Sequence, residues 1–202
     1  MSEEAGGLSD DITFLRRLAE AGRNKPISGG ALLVATGGIW GGLCLLGWSA
    51  WIGFVRLGAW ANALGLIGIA LSIAAGFVFT RGRHKAAAAG LSSLAFQAAW
   101  TGAAVGILVI AFIDQIAMWR TGNPLVFVSQ SSIFICLYGI AWFISSALAR
   151  RWWFLAVAVA SFAMAIVIAL LPYGPTQLLG LSIAVFALTV VPGAVLMRQE
   201  AR

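Results

Sequence analysis

One histidine, two cysteines and seven carboxylates are the side chains in this 202-residue protein from which metal, redox or acid–base chemistry could be built. His84 stands in the basic stretch "RGRHK", and a metal needs three or four suitable ligands that nothing near it in the sequence supplies. Cys44 and Cys136 fall in different apolar segments without CxxC spacing and read as small packing residues. Two axial histidines for a haem are excluded by count. Among Glu3, Glu4, Asp10, Asp11, Glu20, Asp114 and Glu200, only Asp114 lies between residues 21 and 199, so no pair of catalytic carboxylates can form in that stretch. Ser92, Ser93, Ser131, Ser132, Ser145 and Ser146 have no membrane-embedded histidine to activate them. "GGIWGG" lacks the Lys and Ser or Thr of a phosphate-binding loop. These residues argue against an enzyme and imply no cofactor and no metal.

One polar grouping is left. Asp114 and Gln115 precede the end of one apolar run, Gln130 and Ser131 begin the next, and Asn62 begins an earlier one. If those runs are adjacent antiparallel helices, the five residues meet at similar depth. An ionisable group at membrane depth is expensive and marks a site or a pathway, and a carboxyl there could carry a proton or hold a cation. The blander and weightier reading is that Asp114 reaches interfacial water or pairs with Arg56 or Arg120.

The elements that would position these residues follow from composition. The chain is 61% hydrophobic and 10% charged, where soluble domains carry about 25% charged residues, and from Pro26 to Val55 there is no charge at all. About 20 apolar residues cross a bilayer, and backbone in lipid must pair within its own segment. Spans are expected near 28–53, 59–80, 92–118, 125–149, 152–171 and 177–197. The fold class is therefore an all-α integral membrane protein. Residues 27–202 are expected to form a six-transmembrane-helix bundle whose short links make successive helices antiparallel neighbours, and residues 1–26 a cytoplasmic segment holding a short amphipathic helix, "SDDITFLRRLAEAG", capped at Ser9.

Eleven of thirteen Lys and Arg residues then fall on one side and only Arg56 and Arg120 on the other, which predicts both termini in the cytoplasm of a bacterial inner membrane. The net charge of +6 is a topology signal and not a nucleic-acid footprint. Arg81, Arg83, His84, Lys85, Arg150 and Arg151 face anionic lipid headgroups or an acidic partner surface in this reading. Trp40, Trp100 and Trp142 lie deep and read as packing.

In "ATGGIWGGLC", Gly37 with Gly41 and Gly38 with Gly42 make two overlapping GxxxG pairs. Helices in lipid associate by close approach over small residues, so the first span is expected to pack through all four. Gly68, Ser72 and Gly76 repeat the spacing in the second span, and Gly102 and Gly106 in the third. Such faces suit a neighbouring helix of this chain, a second copy, or another membrane protein. The expectation is a non-enzymatic accessory, assembly or sensing subunit. Its alternative is a small ion or solute transporter using the polar group around Asp114.

Overall fold

Uncharged runs rich in Leu, Ile, Val, Ala and Phe must satisfy their backbone internally, and in this chain they do so as helices. The computed structural model describes residues 29–58, 63–83, 91–123 and 127–200, which hold helix and turn and no strand. Helix α1 is Gly30–Trp51, α2 is Leu64–Arg83, α3 is Leu91–Thr121, α4 is Gln130–Ala149 and α5 is Trp152–Leu170. Helix α6 runs from Pro175 to Glu200 and contains a π-helical segment, Phe186–Val190. Five of them are long and apolar enough to cross a membrane, and α2 contributes a shorter apolar stretch, Leu64–Val78. The expected amphipathic helix at residues 9–22 lies outside the described residues.

The links show why the runs stop. Gly122 takes φ +64, a left-handed conformation that side chains resist, and its N–H returns to Met118 O at 2.8 Å to close α3. Arg150 does the same for α4 at φ +50 without being glycine. Only Arg150 and Arg151 separate α4 from α5, so the chain must reverse there whatever residue it uses.

Helix α6 is the centre of the bundle. One side of it packs along α1 and the other meets α4 and α5. Helix α2 leans on α1, and α3 leans on α4. The consecutive helices α2 and α3 hardly meet, which departs from the expectation that each span neighbours the next: α1 and α4 each carry one of them, at opposite edges. The edge position shows in burial, since 6% of the apolar window of α3 is buried against 44% for α6.

Two clusters fill the interior. Leu33, Phe96, Trp142, Phe154, Ala158 and Leu196 pack at one end. Ile135, Ala165, Ile168, Leu181, Ala184, Val185 and Leu188 pack at the other. At the first end, Glu200 Oε1 accepts from Gly29 N at 3.0 Å and Gly30 N at 3.3 Å, so the last residue of α6 supplies the N-cap that α1 lacks locally. At the opposite end, Trp51 and Tyr173 meet edge to face at 5.8 Å. We call these the near end and the far end.

Candidate functional site

Asp114 lies two turns from the far end of α3. It continues the stripe of Phe96, Trp100, Ala103 and Ile107, which recurs at helical spacing. That stripe faces α4: the Trp100 ring stands 5.6 Å from Tyr138 and 5.1 Å from Trp142, and a Cβ placed on Gly106 would lie 3.5 Å from Leu137 Cδ1. The helices run antiparallel, so the same register brings Asp114 level with the start of α4. Gln130 begins the stripe of α4 that Leu137 and Tyr138 continue, and Ser131 follows it. The fold therefore places Asp114, Gln130 and Ser131 along one seam. Gln115, a step round the helix, is exposed, and Asn62 lies outside the described residues.

Proximity has not produced a bonded cluster. Asp114 Oδ2 is buried with no hydrogen-bond partner, and no hydrogen bond joins Asp114 to Gln130 or Ser131 among the described residues. Nor does Asp114 form an ion pair with Arg56 or Arg120 there. Arg120 comes six residues later and points about 120° away from Asp114 round the helix, and Arg56 is exposed beyond α1. Trp100 Nε1 and Ser132 Oγ are likewise buried without partners. A carboxyl, an amide and a hydroxyl along one seam could receive a proton or a cationic group, and among the described residues no group donates to the Asp114 carboxyl.

Besides Glu200 at the near end, three more polar side chains bridge separate segments by reaching backbone, and none of these bonds was visible in the sequence. Gln177 Nε2, buried at the start of α6, donates to Val128 O at 2.8 Å and pins the link before α4. Ser182 Oγ donates to Gly41 O at 2.8 Å and ties α6 to α1. Trp142 Nε1, fully buried, donates to Leu188 O at 2.9 Å. That carbonyl lacks its usual partner because residue i+4 is Pro192, which has no N–H, and the π-helical segment forms around the gap. Pro192 was the available signal; no sequence pattern paired it with Trp142.

The glycines divide. A Cβ on Gly37 would overlap Thr189 Oγ1 and lie 3.0 Å from Thr189 Cβ, and one on Gly41 would stand 2.8 Å from the Phe186 ring. Gly38 and Gly42 have nothing within 4 Å, which corrects the expectation that all four pack: a step of 100° carries each off the α6 contact line. Gly68 meets Leu43 and Trp40 of α1, and beside it Ser72 Oγ accepts from Trp40 Nε1 at 3.0 Å. Gly76 and Gly102 also have nothing within 4 Å, again against expectation, because α2 and α3 are edge helices. Gly30 and Gly193 complete the α1–α6 contact, and the sequence reading had given Gly193 no role.

Of the basic residues, Arg151 Nη1 donates to Gln199 Oε1, which ties α5 to α6 at the near end, and Arg150 is exposed. Arg81 and Arg83 close α2, while His84 and Lys85 lie outside the described residues. The chain matches no protein-family model, no curated protein and no solved structure.

Proposed function

We propose that the protein is a six-span bacterial inner-membrane protein with both termini in the cytoplasm, acting as a non-enzymatic accessory, assembly or sensing subunit. The observation that carries this reading is how the bundle spends its polar groups. Gln177, Ser182 and Trp142 all bond to backbone in neighbouring segments, and Trp142, Phe154, Ile135 and Ile168 are fully buried in the interior. A conduit needs a polar lining, whereas this interior is spent on holding helices together. Surface is left over at the edges, where α2 and α3 present apolar flanks and unfilled glycines. A shallow apolar groove of about 360 Å³, lined by Gly42, Leu45, Trp48, Ser49 and Phe54, adds to it beside α1.

The orientation draws on the charge asymmetry and on the Glu200 cap, which sets the start of α1 and the end of α6 at one end, as an even number of crossings requires. The close approach of Thr189 and Phe186 to Gly37 and Gly41 supports reading that pair as a helix-packing face. At the cytoplasmic face Arg150 and its neighbours would lie against anionic lipid headgroups. A second reading, the small transporter, has one observation in its favour, the unpartnered Asp114 Oδ2.

The accessory reading is tested by cross-linking in native membranes followed by mild extraction and native mass spectrometry. A partner in fixed stoichiometry, whose level or activity falls when this chain is deleted, is the expected result. A chain that stays alone at every cross-linker length contradicts it.

A further inference from the structure

We propose that the outer face of α3 is a self-association surface, on which a second copy of this chain lays its own α3 in parallel, with the Gln115 amides of the two copies hydrogen-bonded to each other. The inference goes beyond the accessory reading and needs only that α3 crosses the bilayer.

Thr101, Val105, Leu108, Phe112, Gln115 and Trp119 follow one another at alternating steps of four and three residues, and all six are exposed. They lie on the flank turned away from α4, which the Phe96, Trp100, Ala103 and Ile107 stripe already faces. Steps of four and three hold a stripe against one partner helix along its whole length, as in the seam of a left-handed helix pair. Two members of the stripe are polar. Gln115 carries an amide and Thr101 a hydroxyl, and neither side chain bonds to a described residue. By contrast, the exposed residues over 64–78 and 155–170 are all Leu, Ile, Val, Ala, Phe or Gly, as suits a surface left to lipid. Gln115 comes one turn before the exposed Trp119 ring, inside the level where such a ring meets the headgroups. An amide in hydrocarbon without a partner is costly, and a helix that supplies one is held by it.

Self-complementarity selects the occupant. Two copies inserted with the same topology are related by a two-fold axis along the membrane normal, so their α3 helices run parallel and each residue meets its counterpart at equal depth. An amide complements itself, since the N–H of each donates to the carbonyl of the other. A hydroxyl does the same, and Thr101 repeats the match about 21 Å along the helix. A second copy brings both groups to the right depth by construction.

The test mixes donor- and acceptor-labelled copies of the full-length protein in phosphatidylcholine vesicles over a range of protein-to-lipid ratios. Energy transfer above that of randomly placed labels is expected, and Gln115→Leu should raise the apparent dissociation constant roughly tenfold while Gln115→Asn keeps part of the affinity. Near-UV circular dichroism from the Trp142 cluster shows that the variants are folded. Single cysteines give a readout independent of those substitutions. With Cys44 and Cys136 replaced by Ala, Phe112→Cys is expected to form a disulfide-linked dimer on oxidation with copper phenanthroline, and Ile113→Cys, a step of about 100° off the seam, is not. Transfer no greater than random, association unchanged in Gln115→Leu, or cross-linking at 113 in place of 112 each overturns the proposal. So does a Phe112→Cys variant that links only to a different protein in native membranes, which would assign the face to another partner.

Discussion

At Gly30 a Cβ would stand 2.6 Å from Gly193 O and 2.8 Å from Met197 N, both backbone atoms that cannot turn aside. Gly42, in the same helix, faces nothing within 4 Å. Gly30→Ala is therefore expected to destabilise the bundle by about 1–3 kcal/mol through overpacking. Gly42→Ala should be neutral or gain up to about 1 kcal/mol from helix propensity. Thermal unfolding in mild detergent checks the contrast, and equal midpoints would mean that α1 and α6 do not meet there. The GxxxG spacing was legible in the sequence, but which pair of glycines it concerned was not. Spacing reports that two residues share a face, and only the neighbour decides whether that face is covered. Asp114 was legible as a lone carboxylate near Gln130 and Ser131; that it would be left unpaired was not, since Arg120 is near in sequence and on the wrong side of the helix.

At the scale of the element, α6 was expected as a plain span over 177–197 and proves to hold a π-helical segment latched by Trp142. Apolar periodicity is blind to such a segment, because adding one residue to a turn changes no residue type. Trp142→Phe removes the indole donor and leaves Leu188 O buried, a loss of about 1–2 kcal/mol. Pro192→Ala restores an N–H four residues after Leu188, so the carbonyl gains a partner within its own helix. In the double variant the cost of Trp142→Phe should shrink to under about half its value, a coupling that a double-mutant cycle measures directly. Strict additivity would show that the tryptophan stabilises by packing alone. The near-end cap makes a separate prediction: Glu200→Gln keeps an acceptor for Gly29 N and Gly30 N, whereas Glu200→Ala removes it and should cost about 1 kcal/mol in the same assay. That cap was invisible in the sequence because its two halves lie 171 residues apart.

For the whole molecule, the all-helical architecture and its five long apolar helices followed from composition and charge-free length, since an uncharged chain suited to lipid has few choices. The arrangement did not follow. Neighbours in sequence are neighbours in space at α1–α2, α3–α4, α4–α5 and α5–α6, yet α6 returns to the centre and separates α2 from α3. Topology is checked by reporter fusions: those after Gly58, Gly122 and Gly174 should face outside, and one after Glu200 inside. The claim that organises everything else is that this interior is closed packing and not a pathway. Its most direct test is flux through proteoliposomes holding the purified protein, under imposed proton, potassium and sodium gradients with and without a membrane potential. Leak equal to that of empty vesicles, unchanged by Asp114→Asn, is the expected result; a saturable flux in the wild type that Asp114→Asn abolishes would contradict it.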